Sequence, residues 1–109
     1  MTIEIFTPHG EVPEHIIMFI KEKLMDFYHR DPEIDVAEVV LRRQYIAAGI
    51  DHVCEITLNL YGESLFIHRS GDSYLQAARD VIDELAGQVE NIYKRRNELP
   101  EQLITTVRV

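Results

Sequence analysis

The chain has 109 residues, 46% of them hydrophobic and 28% charged, the composition of one ordinary globular domain with a modest core. Eleven Lys and Arg against nineteen Asp and Glu leave a formal charge of −8, which argues against a polyanion-binding surface unless the cations are grouped locally. The longest apolar run, Ile16–Ile20, is far too short to span a bilayer, no leader pattern opens the chain, and the lone Cys54 cannot form an internal disulfide, so a cytoplasmic protein with no membrane partner is expected.

Thr2–Phe6 alternates apolar and polar residues and predicts a short strand. Pro13 suits a helix start, and Ile16, Ile20, Leu24 and Phe27 draw one apolar stripe that Asp31-Pro32 ends. Ile34–Arg43 reads as a strand with Ala37, Val39 and Leu41 on one face and Val36, Glu38, Val40 and Arg42 on the other. Ala47-Ala48-Gly49 predicts a hairpin loop, and Val53–Leu60 a strand with Cys54, Ile56, Leu58 and Leu60 inward. Tyr61-Gly62-Glu63 predicts a tight turn into a strand at Ser64–Ser70, and Asp72 or Ser73 caps a long helix. Its stripe of Tyr74, Ala78, Val81, Leu85, Val89 and Ile92 runs to about Asn97, with Leu99-Pro100 as the expected stop. The order β-α-β-β-β-α predicts an α+β two-layer sandwich, two helices on one face of a four-stranded sheet.

No phosphate-loop, dinucleotide or nucleophile-elbow motif occurs, and the five histidines form no closely spaced pair. Cys54 sits at an inward position and reads as a small buried hydrophobe. An enzyme, a cofactor and a metal site are therefore not expected. Chemistry is left to the cations. Lys23 and Arg30 flank the first helix's stripe on one side and Lys21 on the other; Arg42 and Arg43 lie on the second strand, His68 and Arg69 on the fourth. Lys94-Arg95-Arg96 end the periodic part of the long helix, where cations also complement the helix dipole.

Val53-Cys54-Glu55-Ile56-Thr57-Leu58, Gly62, the Asp83-Glu84-Leu85-Ala86-Gly87-Gln88-Val89 run with its basic end, and Ile20-Lys21-Glu22-Lys23-Leu24 together resemble the ribosome hibernation promoting factor family, also called ribosome-associated inhibitors. The likeness spans roughly residues 1–97. It implies a fold similar to a double-stranded RNA-binding domain, seated on the small ribosomal subunit at the messenger and transfer RNA channel, silencing idle ribosomes under stress without a reaction. By this resemblance Lys21, Lys23, Arg42, Arg43, His68, Lys94, Arg95 and Arg96 would contact ribosomal RNA, with Arg30 and Arg69 as neighbouring cations. Departures stand beside it. Leu75-Gln76-Ala77 replaces the family's Tyr-Ala-Ala, Tyr74 comes one residue early, and Asp26, Gln88, Glu90 and Asn91 thin the usual lysine charge.

Two other functions fit the same residues. One is an acidic protein-interaction module of this fold with weak or no RNA binding; the other is a free double-stranded RNA binder, for which a denser helix-end lysine cluster would be expected. A continuous positive patch joining Lys23, Arg42, Arg43 and Lys94–Arg96 would favour the ribosome. Residues 98–109 are set apart as a tail from the 1–97 domain. Leu103–Val109 is β-rich and predicts either a frayed end or an added strand, the latter a route to a homodimer.

Overall fold

Period-two alternation in the middle of the chain and helical periodicity at either side build the layers. In the computed structural model, which describes the backbone of residues 1–107 and the side chains of residues 1–96, the elements follow the order β1 (Thr2–Phe6), α1 (Glu14–Arg30), β2 (Ile34–Ile46), β3 (Gly49–Leu60), β4 (Glu63–Gly71) and α2 (Tyr74–Val107). The strands form one mixed sheet in the order β1-β2-β3-β4, with β1 parallel to β2 and the other pairs antiparallel. Both helices cover one face. Ala37, Val39, Leu41, Cys54, Ile56, Leu58 and Leu60 from the sheet meet Ile16, Ile20 and Leu24 of α1 and Ala78, Val81, Leu85 and Val89 of α2 in a single buried cluster. The α+β sandwich is as the sequence predicts.

Local chemistry explains the boundaries. Asp31 is the C-cap of α1, its N–H bonded 2.9 Å to the Phe27 carbonyl, and Pro32 follows where the helix has ended. Ser73 opens α2 by accepting the Gln76 N–H at its Oγ, 3.2 Å away. Tyr61 and Gly62 both take positive φ, 53° and 76°, the mirror-image turn whose twist suits a two-residue hairpin. Glycine adopts this freely; Tyr61 does not, and it is held there by contacts described below.

Three boundaries differ from expectation. β2 and β3 run past Arg43 and Val53 to a two-residue loop at Ala47-Ala48, because Gly49 at φ 130° closes the ladder opposite Ile46. Arg42 and Arg43 thus lie within a strand, not at its end. The long helix does not stop at Leu99-Pro100 but is continuous to Val107. An interior proline removes one backbone hydrogen bond, at a cost of ~3 kcal/mol. Glu98, Glu101, Gln102 and Leu103 around it are strong helix formers, and helical propagation prevails over the local breaker. Leu103–Val107 is therefore helical, not a strand, and the strand-addition route to a homodimer loses its basis; Arg108 and Val109 lie outside the described residues. Among the described residues no helix is long and apolar enough to cross a membrane.

Candidate nucleic-acid interface

The two helices lie side by side, and the seam between them is where cations gather. Phe19, Lys23, Asp26, Phe27 and Arg30 from α1 face Arg79, Ile82, Asp83 and Ala86 from α2 across an open groove of about 430 Å³. Phe27 and Ile82 are buried and form the floor. The Lys23 ammonium stands 5.8 Å from the centre of the Phe19 ring, a cation–π distance that holds the charge at the rim. Further along the seam, Glu90 of α2 binds the Arg30 guanidinium with one oxygen and lies 3.9 Å from the Lys94 ammonium with the other. Lys23, Arg30, Arg79 and Lys94 thus belong to one helical surface, broken by Asp26, Asp83 and Glu90.

Arg79 was absent from the sequence-derived set. The signal existed, since Arg79, Asp83, Ala86 and Glu90 follow helical spacing along one flank of the apolar stripe. A helical wheel does not say which flank meets the other helix. Only the packing does.

The other sequence-predicted cations are distributed elsewhere. Arg42 is on the opposite side of the molecule, on the sheet face without helices, where its Nε donates to Glu55 at 3.1 Å and its Nη1 to Gln44 at 3.3 Å. The alternation along β2 forces this, because Leu41 points into the core. Arg43 folds back on the β1–α1 connection: its backbone N–H donates to His9 Nδ1 at 2.9 Å and its Nη2 to the His9 carbonyl at 2.7 Å. His68 is exposed on the sheet face beside Phe66, ring centres 5.7 Å apart. Arg69 reaches Glu84 of α2 at 3.7 Å and donates to the His68 carbonyl at 2.7 Å. Lys21 and Arg95 are exposed on the helices. The expected continuous patch joining Lys23, Arg42, Arg43 and Lys94–Arg96 does not form, since strand alternation and the His9 latch take two of its members away.

Arg96 has a structural engagement. Its guanidinium lies 4.3 Å from the centre of the Tyr61 ring, and the Tyr61 hydroxyl donates to both oxygens of Asp31, at 2.9 and 3.1 Å. Asp31 is the one buried acid among the described residues and also accepts the Glu33 N–H at 3.2 Å. This chain of contacts ties the end of α1, the β3–β4 turn and α2 together and keeps Tyr61 in its unfavourable φ. Loss of water around the Tyr61 phenol, followed by its bond to Asp31, pushes its pKa above the ordinary tyrosine value. Burial, with a smaller contribution from Glu55, pushes the Cys54 thiol up to about 12, so it is neither a nucleophile nor a metal ligand at neutral pH. No group of three His, Cys, Asp or Glu side chains among the described residues is placed to hold a metal ion.

No protein-family model and no curated protein matches the sequence. Solved structures do match the fold. A ribosomal subunit interface protein from Coxiella burnetii superposes with a TM-score of 0.73 at 13% identity, over 86% of this chain and 99% of that one. The N-terminal domain of protein Y from Thermus thermophilus superposes with a TM-score of 0.69 at 22% identity, over 84% of this chain and 99% of that domain. At these identities what is shared is the fold.

Proposed function

We propose that this chain is a ribosome-associated protein that binds the small subunit through its helical surface and holds the ribosome inactive, without catalysing a reaction. The observation that carries the proposal is the groove between the helices. Lys23, Arg30 and Arg79 line it, beside Asp26 and Asp83, on a fold shared with a protein named a ribosomal subunit interface protein. Duplex RNA is recognised by shape and by phosphate contacts rather than by base sequence, which suits a rigid two-helix surface with cations at its rim. Lys94 extends that surface through Glu90, while Arg95 and Lys21 are exposed outside the seam. Arg42, Arg43 and Arg69 contribute structure instead, each engaged with its own partner in the fold. A cytoplasmic setting and the mRNA and tRNA channel as the docking place follow from the same reading.

One observation favours the second reading, an acidic interaction module without RNA affinity: Arg30, Arg42, Arg69 and Lys94 all face carboxylates. Salt dependence separates the two. Co-sedimentation of the full chain with purified ribosomes at ~50 and ~200 mM salt should show affinity falling steeply, in proportion to the phosphates neutralised. Absence of co-sedimentation at the lower salt contradicts ribosome binding and leaves the interaction module.

A further inference from the structure

The face of the sheet opposite the helices carries a different chemistry, and its residues can be read row by row from the pairing. One row runs Glu4, Glu38, Thr57, Phe66 across the four strands, and the next runs Phe6, Val40, Glu55, His68. Phe6 is 49% exposed and Phe66 55%, on the two edge strands of the sheet. Three strand spacings of ~4.8 Å separate those edges, about 14 Å in all. The rest of the two rows is Val40, Thr57, His68 and three glutamates. Among the described residues only Glu55 of the three has an ion-pair partner, Arg42. Glu4 and Glu38 are directly opposite one another in the parallel β1–β2 pair, both exposed, with no ion-pair partner among the described residues. Like charges directly opposite destabilise a sheet. The free protein bears that cost on a surface where two phenyl rings also face water.

We propose that this open sheet face is a docking site for a lysine- or arginine-rich protein segment with interspersed apolar side chains. Charge selects the occupant. An RNA phosphate would meet Glu4 and Glu38, and a second copy of the chain placed face to face would set those glutamates against their own counterparts. A cationic segment relieves the Glu4–Glu38 opposition while its apolar side chains cover Phe6 and Phe66. Adding the two-residue offset along the strands, the diagonal between the two positions is roughly 16 Å, spanned by about five extended residues, so a short peptide is sufficient. This site is independent of the helical groove and of the ribosome reading, which uses the other side of the molecule.

The probe is an end-capped octapeptide alternating lysine and leucine, titrated into the isotope-labelled full chain and followed by amide NMR shifts. Shifts confined to the four strands are expected, with at least a roughly tenfold weaker affinity, one decade on the free-energy scale, in Glu4→Gln/Glu38→Gln. That variant should unfold at an equal or higher temperature than the parent, which separates lost recognition from lost fold. Phe66→Ser should weaken the peptide similarly. The same peptide with glutamate in place of lysine should cause no shifts. Absence of shifts, shifts centred on the α1–α2 groove, an unchanged affinity in the double variant, sheet-face shifts with a uridine octanucleotide, or concentration-dependent shifts without peptide would each overturn the proposal.

Discussion

The helical surface and the open sheet surface share one core and differ in nearly everything that faces solvent. On the helical side, cations from two elements converge on a seam with an aromatic rim, and acids interrupt them. On the sheet side, glutamates and phenyl rings dominate and the principal cation, Arg42, is neutralised by Glu55. A net charge of −8 describes neither surface. What the difference teaches is that charge acts by placement: an acidic chain can still bring cations from two helices to one seam, even with Asp26, Asp83 and Glu90 among them.

The largest expected effect strikes both surfaces at once. Leu85 of α2 is fully buried in the cluster between the helices and the sheet. Leu85→Ala should destabilise the fold by ~2–5 kcal/mol in denaturant unfolding. A loss below ~1 kcal/mol, the level of ordinary surface changes, would mean that the two surfaces do not depend on this contact.

Tyr61→Phe sharpens the helical side. It leaves the ring under Arg96 but removes the only side-chain hydroxyl donor to buried Asp31 among the described residues. An unsatisfied buried acceptor costs ~1–3 kcal/mol, so a lower unfolding midpoint is expected, with ribosome binding at the groove unchanged in salt dependence.

Cys54 gives a pH signature to the shared core. Its thiol titrates near 12 in the fold against an ordinary 9. Below pH 9 both states hold the proton and the group is neutral to stability. As pH rises from 9 towards 12 the unfolded chain releases it while the folded chain does not. Stability should therefore fall by up to ~1.4 kcal/mol per pH unit in that window. The difference curve between the parent and Cys54→Ala isolates this slope from other titrations; a flat difference would mean that the thiol is not buried.

Arg42→Gln is the mildest test and belongs to the sheet side. Its ion pair is partly exposed, so a stability loss of about 1 kcal/mol or less is expected. Ribosome affinity should be unaffected, in contrast to any change in the groove.

Much of this arrangement was legible in the sequence. The alternation through Ala37, Val39 and Leu41 and through Cys54, Ile56 and Leu58 located the core face of the sheet, and the stripes of α1 and α2 located the faces that cover it. That alternation also assigned Arg42 to the open face, although the family resemblance grouped it with the helical cations. Arg79 was hidden because neighbouring helices choose a flank by packing, not by periodicity. The latch between Arg43 and His9 joins positions 34 apart and has no local signal. The proline stop failed for an energetic reason, since one breaker was outweighed by the helix formers around it.

The central claim is that the helical groove, not the sheet, is the ribosome-binding surface. Ribosome affinity measured across a salt series for Lys23→Glu/Arg79→Glu and for Glu4→Gln/Glu38→Gln tests it most directly. The groove variant should bind more weakly and lose up to roughly two units from the slope of log affinity against log salt, about one per phosphate contact, while the sheet variant keeps the parent slope. Equal slopes for parent and groove variant, or a slope lost only in the sheet variant, would contradict it.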